Sequence, residues 1–431
     1  MKKITTLLFL ISISLIQAQT YVPDDNFEQA LIDLGFDSGP LDDYVPTANI
    51  NTVTDLNLWN KYIYDLTGIE DFTALETLEC GANYLASLDV SQNTALTTLK
   101  CRGNDLSILD VSQNTALLYL DCQDNSITSL DLSNNIALTY LNCNTNQMNT
   151  LDISQNVALE QLHCHINHLI NLDLSLLNSL TILNCFANNL TGIDVSQNTN
   201  LTSLSVGYNQ LTTLDVDNNL ALSYLSSFHN QLSNVDVSQN TALTYISCAE
   251  NMINSLDVSN NTNLTTLYTQ YNQITNLDLS HNASLVDLRC NDNQLTALNV
   301  KNGNNINVTG FHAYNNPNLT CIQVDDAVYS TTNWTNIDPQ TSFSEDCALG
   351  INDFSESQVS FYPNPASELV NIISEEPIAN YSIIDVQGRI ILSEKSIENN
   401  IIPISELKNG IYFIQLSDYN NKSIIQKIIK N

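Results

Sequence analysis

Three of the chain's six histidines fall in one hexapeptide, His163-Cys164-His165-Ile166-Asn167-His168. Imidazole and thiolate are the usual ligands of zinc and copper, so the spacing raises the question of a metal site. Leu162 and Cys164 alternate with polar residues, the period-two pattern of a strand, which sends Cys164 inward and His163 and His165 to the opposite face. The three cannot converge on one ion. The two histidines alone share a side and could, but a third ligand is wanting. The residues 21 positions away are Asn142, Asn144, Asn184 and Phe186, with no carboxylate among them. His163 and His165 are read as surface groups on a binding face, and no metal or other cofactor is expected.

Carboxylates make a second regular pattern. Ten aspartates stand 21 residues apart: Asp89, Asp110, Asp131, Asp152, Asp173, Asp194, Asp215, Asp236, Asp257 and Asp278. Stacked about 5 Å apart, neighbours would repel by roughly 0.8 kcal/mol even in water, so something must compensate. Each can accept backbone N–H groups from the turn that follows it. Bound calcium is the alternative, although a lone repeated Asp does not supply the several oxygens calcium needs. No nucleophile–base constellation, paired carboxylates on one outward strand set or nucleotide loop is present, which argues against an enzyme.

Both patterns belong to one repeat. LETLECGANYLASLDVSQNTA is followed by LTTLKCRGNDLSILDVSQNTA and LLYLDCQDNSITSLDLSNNIA, and the frame continues to LVDLRCNDNQLTALNV. Fixed-period self-similarity marks a solenoid. Cys80, Cys101, Cys122, Cys143, Cys164, Cys185, Cys248 and Cys290 share one column, with Val206, Ser227 and Thr269 in its gaps. An unbroken asparagine column runs from Asn83 to Asn293. The LxxLxCxxNxL block resembles the leucine-rich repeat family over most of residues 51–320. The nested second half, LxxLDVSxN, resembles a bacterial subset, which implies a thin β-rich arc rather than a helix-backed horseshoe. The fold class expected is therefore a β-rich leucine-rich-repeat solenoid of 21-residue repeats with little helix, followed by a small all-β sandwich.

The pattern also fixes what each column does. One short strand per turn stacks in parallel on the next, about 4.8 Å away, and stacking supplies the core that no single turn can build. The second half makes another short extended segment. Asparagine amides both donate and accept, so the column can satisfy buried turn backbone as an internal ladder. Ladder cysteines have parallel Cβ vectors, which suits free buried thiols and not disulfides.

Outward strand positions vary from repeat to repeat and are where a ligand would be read. Tyr119, Tyr140, His163, His165, Phe186, Tyr224, Phe228, Tyr245 and Tyr268 are the candidates for a protein or carbohydrate ligand on the concave sheet, with Tyr208, His229 and Tyr271 at its rim. Exposed aromatics are enriched at interfaces and stack on sugars. Cross-strand packing that only stiffens the sheet is the competing reading, and with it a structural spacer or adhesin without a specific ligand.

The ends complete the plan. Residues 1–19 (MKKITTLLFLISISLIQAQ) carry a basic start, a short apolar stretch and Ala18, and read as a secretory signal peptide. Residues 20–50 form the N-terminal cap: Asp24 or Asp25 caps a helix whose Phe27, Leu31 and Leu34 share a face, and Gly35 stops it. Residues 321–350 close the other end, pinned by a Cys321–Cys347 disulfide. The net charge of −33 excludes nucleic acid as a partner, and no later apolar run reaches transmembrane length.

Past Leu349 the 21-residue frame is gone, and residues 351–431 alternate as a β-sandwich does. Tyr362-Pro363-Asn364-Pro365, Asp385-Val386-Gln387-Gly388-Arg389, Leu407-Lys408-Asn409-Gly410-Ile411-Tyr412 and the basic end at Lys427 and Lys430 resemble the type A sorting domain of the Bacteroidetes type IX secretion system. That resemblance implies passage through the outer membrane by the type IX machinery, followed by release or attachment at the cell surface.

Overall fold

Each block of about 21 residues contributes one three-residue strand, and thirteen of these pair in parallel from Asp55–Asn57 to Gly310–His312. The computed structural model describes residues 18–347, 359–374, 378–394, 400–418 and 423–431. Most of the expected leader lies outside them. Register is set by the leucines: Leu99 faces Leu120 across one pair and Leu120 faces Leu141 across the next. The first repeat is one residue longer, as Asp55 pairs with Thr77. The interval from Asp287 to Gly310 is also stretched.

Leucine and cysteine columns fill the interior. Leu99, Cys101, Leu120 and Cys122 are fully buried. All eight ladder cysteines are free thiols. Burial pushes Cys143 and Cys185 up to about 12, so neither forms thiolate near neutral pH.

The asparagine column does what a turn without helix requires. Asn104 Nδ2 donates to the carbonyls of Cys80 (3.1 Å) and Cys101 (2.9 Å), and its Oδ1 accepts the Leu85 N–H at 3.0 Å. One side chain thus ties its own turn to the previous one. The position just ahead of each of these asparagines is left-handed, from Ala82 to Asp292. Thr145, Ile166 and Tyr208 hold it at φ of about 50°, a region costly for β-branched side chains. Ladder bonds on both sides impose it, such as Ile166 N–H to Phe186 O and Asn146 N–H to Ile166 O.

A second asparagine column lies in LDVSxN. Asn114 Nδ2 donates to Val90 O and Asn93 O of the turn before, and the pattern repeats at Asn135 and Asn156. The extended segment there pairs as true strand only near the C-terminal end, where Asn276–Asp278, Ala297–Asn299, Cys321–Gln323 and Ser342–Ser344 form a separate sheet.

A short helix and a disulfide stand at the two ends of the solenoid, with one correction to the sequence expectation. Asp24 is the N-cap of helix Asp25–Asp33, accepting the Asn26 and Phe27 N–H groups, and its other oxygen accepts those of Tyr64 and Asp65. Phe27 and Leu31 are fully buried, but Leu34 is 45% exposed. The helix has already ended at Leu34, its C-cap, and Gly35 at φ +81° turns the chain away. Glu28 is the buried residue instead, its carboxylate taking the N–H groups of Asp42 and Asp43. At the far end Trp334 stacks on Phe311 at 4.1 Å, and Cys321 and Cys347 are disulfide-bonded as predicted. The C-terminal unit is a three-stranded and a four-stranded antiparallel sheet packed on Val370, Ile383, Ile402, Ile414 and Ile428.

Asn146 accepts from Ile127 N–H and donates to Cys122 O, Cys143 O and Asn144 O. At about 1 kcal/mol per bond, with desolvated partners left behind, Asn146→Ala should cost roughly 2–4 kcal/mol in chemical denaturation. Ladder thiols should react with a thiol reagent only once the chain unfolds. Equal labelling rates before and after the transition would contradict the buried column.

Candidate ligand-binding face

The outward face of the long sheet carries the candidate aromatics, and the strand register sets how they meet. Tyr119 and Tyr140 sit on adjacent rungs with ring centroids 4.1 Å apart and planes 3° from parallel. Tyr224 and Tyr245 repeat this at 4.5 Å and 9°. His163 tilts against Tyr140 at 5.6 Å, and Tyr268 meets Tyr245 edge-on at 5.7 Å.

Phe186 and Phe228 are two turns apart yet approach to 5.6 Å. Gly207 lies between them, and a Cβ there would stand 2.8 Å from the Phe228 ring. The glycine is what lets Phe228 lean over. Tyr208 stands edge-on to both phenylalanines and stacks on His229 at 4.1 Å, and His229 Nδ1 lies 2.8 Å from Glu250 Oε2. The structure thus brings the candidates into two clusters along the face, with Tyr224 on the rung of Phe228 and Tyr245 and Tyr268 on the next two.

Cations on this face are held on rings. Arg102 lies over Trp59 at 4.5 Å, Lys100 over Tyr119 at 5.5 Å and Arg289 over Tyr268 at 4.4 Å. Arg102 also faces Asp121 at 3.8 Å. Desolvation raises the Asp121 pKa despite that partner, because the carboxyl is buried between its neighbours. Tyr268 donates its hydroxyl to Asp287 at 2.6 Å. Gln123 Oε1 accepts from both Asn142 and Asn144, which makes a closed amide cluster beside Tyr140. Gln123 and Asn144 share a column 21 residues apart, and Asn142 joins them from the strand of the same repeat as Asn144.

His163 and His165 do lie on the outward face, half-buried. Burial lowers the pKa of both, and for His165 the nearby His163 lowers it further. One carboxylate escaped the column argument: Asp124, two turns back at the left-handed position, acts on His165 in the opposite sense. Among the described residues, only Asp25, Glu28 and Asp43 bring three metal-ligand atoms within 4.8 Å of one another. The Glu28 carboxylate there already serves the cap backbone.

On the other flank each of the ten aspartates accepts, through Oδ1, the N–H two residues on at 2.9–3.0 Å. Those bonds hold the pKa of Asp89, Asp152 and Asp236 below the ordinary value and offset the like-charge repulsion. Shallow clefts of about 460 and 490 Å³ open along this row, at Asp236, Asp257 and Asp278 and at Asp173 and Asp194.

In the C-terminal unit the motif residues bind one another. Asp385 accepts the Gln387 and Arg389 N–H groups and both pairs with and accepts from the Arg389 guanidinium at 2.7 Å, around Gly388 at φ +79°. The backbone bond from Arg389 is the main cause of its lowered pKa. Asn364, between the cis-linked Pro363 and Pro365, donates to Lys427 O and accepts from Ile429 N–H. Gly410 opens strand Gly410–Asp418, and the Tyr412 hydroxyl donates to Lys408 O.

Comparison with known proteins agrees with both units. Residues 360–431 match the family described as secretion system C-terminal sorting domain. The functional domain of InlJ from Listeria monocytogenes, described as including a cysteine ladder, superposes with a TM-score of 0.66 and 27% identity, covering 96% of this chain and 99% of that one. An internalin, InlF, of Listeria monocytogenes superposes at 0.63 with 20% identity over 75% of this chain and 98% of its own. A leucine-rich repeat protein of Leptospira interrogans gives 0.57 and 22%, over 69% and 85%. No curated protein matches the chain. The repeats form a leucine-rich-repeat solenoid, and it and the sorting domain are folds of a non-catalytic kind. No helix among the described residues is long and apolar enough to cross a membrane.

Histidine protonation gives a direct check. With folded pKa values lowered from 6.5 by burial, His163 and His165 are neutral at pH 7. Their contribution to stability is complete above the unfolded pKa and is lost as pH falls from there toward the folded values. NMR titration should find both midpoints below 6.5; a midpoint above it for either ring would contradict the half-buried placement.

Proposed function

We propose that this leucine-rich-repeat solenoid, exported under the direction of its C-terminal sorting domain, is a recognition protein of the cell exterior that binds a protein or glycan through the outward face of its long sheet. The observation that carries this reading is the gathering of aromatic side chains on that one face of an otherwise regular coil. Interfaces are enriched in Tyr and Phe at their buried centres. Tyr119, Tyr140, His163, His165, Phe186, Tyr224, Phe228, Tyr245 and Tyr268 are the contact residues in this reading, and none acts as a catalyst.

Type IX machinery is the export partner in the same reading. Pro363, Asn364, Pro365, Asp385, Gly388, Arg389, Gly410 and Tyr412 then serve sorting chiefly by holding the domain's shape, since each polar group among them is spent on a neighbour. The near-parallel tyrosine pairs favour one competing reading, a stiff spacer whose rings only brace adjacent rungs.

Two experiments divide these possibilities. Deleting residues 354–431 should leave the protein in the periplasm, and undiminished arrival at the cell surface would remove the sorting assignment. A combined Tyr224→Ala, Phe228→Ala and Tyr245→Ala variant should lose binding by about 2 kcal/mol or more to whatever ligand a glycan array or peptide library yields. Unchanged affinity with an intact fold would favour the spacer.

A further inference from the structure

The four-stranded sheet of the C-terminal unit, Ile390–Glu394, Ile378–Asp385, Gly410–Asp418 and Ser423–Lys430 in spatial order, is apolar on both sides. Tyr381, Ile383, Ile414, Leu416 and Ile428 fill the core. Alternation sends their chain neighbours the other way. Across the ladder Ile390 pairs with Ile384, Ile384 with Phe413 and Phe413 with Lys427. Ile411 pairs with Ile429 on one side of that row, and Ile425 lies on the other. Ile390, Ile411, Ile425 and Ile429 are all exposed, Ile390 by 65%. A strand with one wet face alternates apolar and polar residues, whereas a near-continuous apolar run belongs to a strand covered on both faces. Ile411-Tyr412-Phe413-Ile414 and Ile428-Ile429 are runs of the second kind, yet only one face of their sheet is covered.

Charge singles this face out. The chain carries a net charge of −33. Among the described residues, the outward positions of these four strands hold no Asp or Glu, and Lys427 is their one charged side chain. None of the ion pairs among the described residues includes Lys427. An ammonium ringed by isoleucines selects a carboxylate set in an apolar surface, because a charge-assisted bond strengthens where water is excluded. The motif residues cannot make such a contact. Asp385 and Arg389 are spent on each other, and Asn364 on the edge of strand Ser423–Lys430. The three-stranded sheet also exposes Ile373, but the Asn371 amide beside it is tied to Tyr362 O, and no charge on its outward side chooses a partner.

We propose that the outward side of this four-stranded sheet is the surface the export machinery reads, and that its partner is a protein component of that machinery with apolar side chains around a carboxylate that meets Lys427. The motif residues hold the sheet in shape, and the sheet's outer side makes the contact. This rests on the sorting reading given above and adds where the machinery touches the domain.

The test expresses the full chain in a cell that has the machinery and measures periplasmic and external fractions for each variant. Ile411→Ser combined with Ile425→Ser, and Lys427→Glu alone, should each lower the external-to-periplasmic ratio by about tenfold or more. Lys427→Arg and, on the other sheet, Ile373→Ser should export as the wild type does. Thermal midpoints of the purified variants should match the wild type, so that the surface and not the fold has changed. Undiminished export of both face variants, with the chain lacking residues 354–431 still held in the periplasm, would overturn the surface and leave the sorting reading intact. Export of that shortened chain as well would remove the sorting reading itself. Export lost with the isoleucine variant but kept by Lys427→Glu would overturn the carboxylate-bearing partner. A purified wild type that dimerises, or that binds vesicles of anionic lipid, and loses that property with Ile411→Ser and Ile425→Ser would overturn the occupant in favour of a second copy or of lipid.

Discussion

A coil without helices has to satisfy the backbone of every turn, and here one amide per turn does it. Asn83, Asn104, Asn125 and their successors reach two carbonyls at different levels of the ladder while accepting an N–H from the turn before. No other side chain of that size both donates twice and accepts. The rise between turns is thereby tied to the reach of a single side chain. Everything placed on the outside inherits that spacing, including the 4.1 Å tyrosine stack and the interval between aspartates. The left-handed residue ahead of each asparagine is part of the same constraint: even Ile166 is held there because the neighbouring turns over-determine its backbone.

The second asparagine column works at half capacity. Asn93, Asn114 and Asn135 are fully buried and donate to the turn before, but their Oδ1 atoms meet no protein donor. Sheet pairing on that flank is correspondingly sparse until the C-terminal end. Self-capping aspartates give its outer surface a uniform, well-solvated row of negative charge. The two flanks therefore differ in kind. One is a continuous hydrogen-bonded sheet free to vary its outward residues, and the other is a repeated turn with little room for variation.

Much of this was legible from periodicity. Alternation around Cys164 placed His163 and His165 outward before any coordinates, and the uninterrupted Asn83 column announced its burial. The aspartate row resolved into the backbone-accepting reading because the residue two positions on is always a free N–H. What periodicity could not show was how far each side chain reaches. Gln123 meets Asn144 of its own column and Asn142 of another, Asp124 acts on His165 across two turns, and Phe228 crosses Gly207 in its own column to reach Phe186. A column argument sees neighbours 21 residues apart at the same position and is blind to side-chain length. Leu34 failed for a related reason: helical periodicity counted it into a face that the chain had already left at Asp33. The second asparagine column was visible in every LDVSQN, but nothing in its spacing showed that it, too, bridges turns.

Under the recognition reading proposed above, the distribution of charge would separate two stages of an encounter. Carboxylates all along the solenoid set a long-range field that acts at distances up to a Debye length, about 8 Å at physiological salt, and it is blind to sequence. The seven consecutive strands from Tyr140–Asn142 to Thr266–Tyr268 carry no Asp, Glu, Lys or Arg at an outward position, so they contribute nothing to that field and are spared the desolvation cost of burying charge at contact. For a partner of the proposed kind, approach would then depend on salt and on net charge, and residence on the fit between Tyr140 and Tyr268. A face that mixed the two would trade one against the other with every substitution. Keeping Asp121 and Arg102 at one end and Asp287 and Arg289 at the other leaves the seven rungs between them free to vary for fit alone.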